Sequence, residues 1–304
     1  MENIINKIKK LRKDKNAVIL AHNYQRGEVQ DIADYVGDSL GLSIEASKTK
    51  ADIIVFCGVH FMAETAALIC PDKKVLMPDD SAGCPMADMI TAEDVKKLRA
   101  EHPNSVVVAY VNTSAAVKAE SDYCCTSGNA VEIVKKIAEI EKGREIIFIP
   151  DKYLGDYVSK QTGIKMVLFN GYCPTHVKIL PEHIIKAKSE HPGALVMAHP
   201  ECRPDVLALA DKVASTGGMI KFAQMSQAKE FIVASEIGIL HRLKALDPEK
   251  KFYPATPLAV CPNMKRTTLE KILWSLEEEG FLVTIPPETA KRAKFPIDRM
   301  LELS

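Results

Sequence analysis

The sequence carries no excess of either charge: 40 lysines and arginines stand against 40 aspartates and glutamates, a formal net charge of zero. Aromatic residues are scarce as well, at 6% with a single tryptophan. A general nucleic-acid binder uses a basic stripe and aromatic platforms, so this balance excludes nucleic acid as a partner and points to a small molecule. No run approaches the roughly 18 uninterrupted apolar residues of a membrane-spanning helix, which excludes a membrane partner. The lysine-rich stretch from Met1 to Asn16 is not followed by an apolar run with a small-residue cleavage site, so a cytoplasmic location is expected. Eight cysteines in that compartment are not expected to form a disulfide framework. They are then buried thiols, metal ligands or a reactive thiol.

What the sequence does have is apolar material for a large core, 47% of 304 residues, enough for two or three domains. Short apolar runs alternate with amphipathic segments. Candidate strands are Ala17 to Ala21, Ile53 to Phe56, Lys74 to Met77, Ser105 to Tyr110, Glu145 to Ile149, Lys165 to Phe169, Ala194 to Ala198, Phe231 to Ala234 and Lys251 to Tyr253. Most lack strict alternation, as strands buried on both faces do. Helix starts are legible between them: Thr91 with Asp94 three residues later, Pro181 before Glu182 to Glu190, and Thr267 or Thr268 before Leu269 to Glu279. Strand and helix in alternation give α/β units with parallel sheets.

Three Cys-Pro dipeptides are almost equally spaced. From Cys84 to Cys173 is 89 residues, and from Cys173 to Cys261 is 88. A second series, His22, Tyr110 and His199, follows the first strand of each group at intervals of 88 and 89. A third, Ser39, Ser127 and Thr216, keeps the same 88 and 89. These series predict a triplicated αβα unit of about 88 residues. The units run from 1 to 87, 88 to 176 and 177 to 262, with 263 to 304 packing back on the first and opening a fourth. Arranged about a pseudo-threefold axis, such units bring equivalent loops to one centre, beyond the carboxyl ends of the strands where open parallel sheets bind ligands.

Three thiolates at one point suit an iron–sulfur cluster, zinc or copper(I). A [4Fe–4S] cube with only three cysteines would keep one open iron, able to act as a Lewis acid. An isolated intracellular cysteine is more often a small buried hydrophobe, and that reading is kept for Cys57, Cys70, Cys124, Cys125 and Cys202. For Cys84, Cys173 and Cys261 the shared period favours ligation. His22 and His199 read alone as core histidines, and their register with Tyr110 favours a site. Ser39, Ser127 and Thr216 read as helix caps. A helix start also offers free N–H groups to an anion. Glu201 is the obvious general base, or the partner of a nearby cation.

Several stretches together resemble the quinolinate synthase family over nearly the whole chain. They include Ala21-His22-Asn23-Tyr24-Gln25, Val36-Gly37-Asp38-Ser39, Phe61-Met62-Ala63-Glu64, Cys84-Pro85-Met86-Ala87, Tyr110-Val111-Asn112, Cys125-Thr126-Ser127, His199-Pro200-Glu201-Cys202, Ser215-Thr216-Gly217, Glu236-Ile237-Gly238 and Asn263-Met264-Lys265. The resemblance implies condensation of iminosuccinate with dihydroxyacetone phosphate to quinolinate, phosphate and water in NAD biosynthesis, with iminosuccinate supplied by an aspartate-oxidising enzyme. It implies three αβα domains around a central site and one [4Fe–4S] cluster on Cys84, Cys173 and Cys261. Substrate binding would fall to His22, Ser39, Tyr110, Val111, Asn112, Ser127, His176, His199, Pro200, Glu201 and Thr216. Catalysis would fall to Glu201, Tyr24, Tyr110 and His199. Two other classes stay open. A diphthamide-synthase-like enzyme also joins three domains around one cluster, using S-adenosylmethionine, and a non-catalytic scaffold would hold zinc on the three thiolates.

Overall fold

The computed structural model describes residues 2–304. Its elements follow one order three times, helix and strand in strict alternation. The first group is α1 (Glu2–Asp14), β1 (Ala17–His22), α2 (Gly27–Ile32), β2 (Tyr35–Gly37), α3 (Ser39–Lys48), β3 (Ile53–Cys57), α4 (His60–Ile69) and β4 (Lys74–Leu76). The second is α5 (Ala92–Glu101), β5 (Ser105–Tyr110), α6 (Ala115–Lys118), β6 (Tyr123–Cys125), α7 (Ala130–Ile140), β7 (Glu145–Ile149), α8 (Lys152–Thr162) and β8 (Met166–Leu168). The third is α9 (Pro181–Glu190), β9 (Leu195–Ala198), α10 (Pro204–Leu207), β10 (Lys212–Val213), α11 (Thr216–Met225), β11 (Glu230–Ala234), α12 (Ile239–Leu246) and β12 (Lys251–Pro254). Two helices close the chain, α13 (Leu269–Glu278) and α14 (Pro287–Leu303).

Each group forms one four-stranded parallel sheet, and the three sheets share an order: β2-β1-β3-β4, β6-β5-β7-β8 and β10-β9-β11-β12. The architecture is α/β, three sheets flanked by helices. Every residue of β3 and β5 is buried, which explains their continuous apolar runs: helices cover both faces. The nine expected strands are present to within one residue at each end. β2, β6 and β10 were not foreseen. They are edge strands of two or three residues, too short to show a period.

The helix starts behave as their chemistry predicts. Thr91 and Asp94 form a reciprocal capping box on α5, Pro181 occupies the first turn of α9, and Thr268 caps α13. The period of the chain also shows at the edge strands. Asp34, Asp122 and Asp211, 88 and 89 residues apart, each accept the backbone N–H of the neighbouring strand: Ile19 at 2.9 Å, Val107 at 2.8 Å and Val196 at 2.8 Å. Each also meets a cation from the unit's opening helix, namely Arg12, Arg99 at 2.7 Å and Lys188 at 3.7 Å.

One apolar core runs from the first sheet through the second and reaches the inner face of the third. Two smaller clusters fill the outer faces of the first and third sheets. Past Cys261, α13 packs on α1 and β3, while α14 lies across α4, α6 and β6. The run Phe281 to Ile285 does not start a fourth parallel sheet. It makes a single antiparallel bridge, Leu282 to Leu76, along the edge of β4. Among the described residues no helix is long and apolar enough to cross a membrane.

Candidate functional site

β1, β5 and β9 end side by side in function: His22 closes β1, Tyr110 closes β5, and His199 follows β9 directly. Two residues further on, again in register, stand Tyr24, Asn112 and Glu201. All six line one cavity, together with Ser39, Ser127, Thr216, His176 and the sulfurs of Cys84, Cys173 and Cys261. Of the anticipated site residues only Val111 and Pro200 are missing from its lining. They lie between the two rings, with Val111 tied by its N–H to the Cys125 carbonyl at 2.9 Å.

The two histidines are set by the same local turn. His22 Nδ1 accepts the N–H of Tyr24 at 3.1 Å, and His199 Nδ1 accepts that of Glu201 at 3.4 Å. Nδ1 is therefore the acceptor and Nε2 carries the proton in both rings. Burial lowers each pKa to about 3 against the opposing pull of Glu201, so both imidazoles are neutral N–H donors at neutral pH.

Glu201 is 3% exposed, yet it is held ionised. Burial pushes its pKa up, and the adjacent His176, with hydrogen bonds from His176 Nδ1–H and Tyr110 Oη–H, more than reverses that. Tyr110 Oη donates to Oε1 at 2.7 Å, and His176 Nδ1 lies 2.8 Å from Oε2. With the proton on Nδ1, His176 Nε2 accepts from Ser235 Oγ at 3.1 Å, and Ser235 accepts from Tyr24 Oη at 2.7 Å. One unbroken chain thus joins Tyr24, Ser235, His176, Glu201 and Tyr110. Both phenols have pKa values raised well above 10, first by burial and then by Glu201, so they keep their protons.

Ser39, Ser127 and Thr216 are not the caps. For α3 and α11 the capping side chains are their predecessors, Asp38 accepting from Gly41 N and Ser215 from Gly218 N, whereas Thr126 accepts from Gly128 N in the turn before α7, whose N-cap is Asn129. Ser39, Ser127 and Thr216 instead line the cavity beside three helix starts. Thr216 Oγ1 accepts from Asn23 Nδ2 at 2.9 Å, a bond between the first and third groups. Ser235 and Asn23 were not foreseen. The only signal for Ser235 was a hydroxyl at the end of β11, where β3 and β7 are followed by Gly58 and Pro150.

Each Cys-Pro opens a short 3-10 turn, Ala87–Met89, His176–Lys178 and Asn263–Lys265. The turn aims backbone N–H groups at the preceding sulfur: Met86 and Ala87 at Cys84, His176 at Cys173, Asn263 and Met264 at Cys261. Such donors favour thiolate over thiol, but burial dominates and all three pKa values are raised, Cys84 to about 12. A bound cation is what would draw these protons off. All eight cysteines are free, so no disulfide competes. Cys173, His176 and Glu201 also form a compact group, their donor atoms within 4.8 Å of one another, that could hold a metal ion. The other five cysteines are buried, in keeping with their reading as packing residues.

A family model described as "Quinolinate synthetase A protein" matches residues 6–302. Among known proteins, the chain is 56% identical to a quinolinate synthase of Methanosarcina barkeri over 298 residues, covering 98% of this chain and 97% of that one. It is 53% identical to quinolinate synthase 1 of Methanosarcina acetivorans over 298 residues, with the same coverage. It is also 53% identical to a quinolinate synthase of Thermodesulfovibrio yellowstonii over 300 residues, 98% of both chains. A match of that extent settles the family by sequence alone.

Proposed function

Because the chain belongs to the quinolinate synthetase A family of enzymes, we propose that it is itself a quinolinate synthase, condensing iminosuccinate with dihydroxyacetone phosphate to quinolinate. One phosphate and two waters leave and the atoms then balance with no net oxidation. The observation that carries this reading is the convergence of three Cys-Pro sulfurs with two three-membered rings of polar side chains in one cavity. We further read the chain as three units, 1 to 87, 88 to 176 and 177 to 262, with an aspartate-oxidising reaction as the source of the unstable imine.

Cys84, Cys173 and Cys261 would hold a [4Fe–4S] cluster, and their chemistry fits: soft donors in matching turns with backbone N–H groups aimed at each sulfur. When bound, such a cluster supplies one iron without a protein ligand, a Lewis acid. The remaining work falls to the chain's own side chains. Hydroxyls of Ser39, Ser127 and Thr216, with the adjoining helix starts, hold carboxylates and phosphate. Neutral His22 and His199 donate through Nε2–H without adding charge, and Tyr110 and Asn112 fix the orientation of the reactants. Glu201 takes a proton from the substrate. The Tyr24–Ser235–His176 chain ends on Glu201. Once Glu201 has taken the substrate proton, a shift of the His176 proton from Nδ1 to Nε2 reverses the chain. Nδ1 then accepts from Glu201, and the proton delivered by Tyr24 is replaced through Nε2 and Ser235. His176 is thereby a link in proton transfer as well as a binding residue.

The test is an anaerobic assay following quinolinate by mass, with iron and sulfide measured on the same samples of native protein and Cys173→Ala. Product from native protein only, with iron and sulfide lost in the variant, is expected. No product from cluster-replete native protein would overturn the reaction. The Cys173–His176–Glu201 group favours a second reading, a zinc site, which zinc without sulfide in protein purified free of oxygen would establish.

A further inference from the structure

Three equivalent positions beneath the cavity carry different residues: Gln30 on α2, Lys118 on α6 and Leu207 on α10, 88 and 89 residues apart. In the first unit Gln30 Nε2 donates to the carbonyls of Asn23 at 3.1 Å and Gln25 at 3.0 Å, the residues either side of Tyr24. In the second, Lys118 Nζ donates to the matching carbonyls of Val111 at 2.8 Å and Thr113, either side of Asn112. The same clamp is thus built once from a neutral amide and once from an amine. In the third unit the equivalent position, Leu207, is apolar and packs against the outer-face cluster of its sheet.

Holding the loop therefore does not require a charge, since Gln30 does it without one. Yet Lys118 is completely buried, which for a lysine is costly unless the charge is used. Its surroundings are those of a cation: two carbonyl oxygens and the face of Phe61, 5.7 Å from Nζ to the ring centre. Burial lowers its pKa, opposed by Cys124, Glu64 and Cys84, and the one carboxylate among these, Glu64, spends Oε2 on the Ala115 backbone N–H at 3.0 Å. Phe61 and Asn112 separate it from the cavity, and both line that cavity.

We propose that Lys118 is a selectivity-determining positioning residue, whose buried positive charge behind the loop 110–113 makes the cavity favour ligands of higher negative charge. It touches no reacting atom. It deepens the proposed function and rests on it for the anionic character of the ligands.

The experiment uses two probes that differ by one carboxylate, quinolinate and nicotinate, titrated calorimetrically into cluster-containing native protein, Lys118→Gln and Lys118→Met. Lys118→Gln copies the Gln30 clamp and removes only the charge. Expected is a loss of about tenfold or more in quinolinate affinity and a clearly smaller loss for nicotinate, since a buried charge acts in proportion to ligand charge through a low effective dielectric. Lys118→Met, lacking the clamp too, should weaken both further by a common factor. Equal losses for both probes in Lys118→Gln, or none, would overturn the proposal and leave the reaction assignment standing. Native protein that binds neither probe and makes no quinolinate would remove both. Should the variants not fold, lysine Nζ resonances of native protein decide: a protonated, slowly exchanging buried ammonium supports the charge, and a neutral amine sinks it.

Discussion

At the rim of the three sheets the chain uses one residue three times, and in the two inner rings of the cavity it does not. Asp34, Asp122 and Asp211 do the same task in each unit, accepting a strand N–H and a helix-borne cation. Around the cavity the equivalent positions read His22, Tyr110, His199 and then Tyr24, Asn112, Glu201. The difference has a physical cause. The three rim sites never meet, so the best residue for one is the best for all. The central side chains face one another, and three glutamates in one buried cavity would raise each other's pKa until most were neutral and useless as bases. The cysteines test the rule from inside: they are central, yet identical, as the proposed ligation of a soft metal by three like sulfurs requires.

The largest effect should come from removing the asymmetry of the centre. Glu201→Gln keeps the shape and an acceptor for Tyr110 or His176 but abolishes the anion. Turnover should fall by at least about a hundredfold, the usual contribution of a positioned acid–base group. Iron and sulfide content should be unchanged. Steady-state rates with metal analysis on the same preparation check both. Full turnover would mean that Glu201 is no more than His176's partner, and that the centre diversified for packing.

The rim–centre contrast also explains what the sequence discloses. The parallel strands are legible because burial on both faces leaves unbroken apolar runs such as Val106 to Tyr110, and the three sulfurs because one residue type recurs at one period. β2, β6 and β10 are not legible, since two or three residues carry no periodicity. Ser235 is hidden for a different reason. It has no counterpart to repeat, because Gly58 and Pro150 occupy its place elsewhere, and only the fold brings it between Tyr24 and His176. The helix-cap reading of Ser39 and Thr216 fails by one residue, as boundaries read from sequence often do. The outcome is favourable, for capping by Asp38 and Ser215 frees the next hydroxyl.

At the rim the expected effect is smaller and of another kind. Asp122→Ala removes the acceptor of the Val107 N–H, on a strand residue with no exposed surface, and the partner of Arg99. Leaving a buried donor unpaired costs about 1–3 kcal/mol, readable as a lower denaturant midpoint. KM and kcat of the folded protein should stay within about twofold of native, an expectation that treats the two regions as energetically separate. Asp211→Ala should cost less, because Lys188 stands 3.7 Å away and both side chains are about two-fifths exposed. A large kcat change in Asp122→Ala would erase the division between the two regions.

The smallest effect probes the neutral histidines through acid stability. An imidazole with an unfolded pKa near 6.5 and a folded pKa of about 3 binds its proton only in the unfolded chain over that interval. Stability from such a group is whole above about pH 6.5 and is lost as the pH falls toward 3, up to about 1.4 kcal/mol per pH unit. Between pH 6.5 and 5.5 the loss from His22 alone should be about 1 kcal/mol. His22→Asn is the informative variant, because an amide oxygen can take over from Nδ1 as acceptor of the Tyr24 N–H and the side chain does not titrate. His199 and the buried carboxylates are present in both proteins, so their contributions cancel in the difference. Denaturation curves for the native protein should therefore fall more steeply with acid than those of His22→Asn. Parallel curves would place His22 in contact with solvent, and the cavity would then be a hydrated cleft in which neutral N–H donors confer little advantage over charged ones.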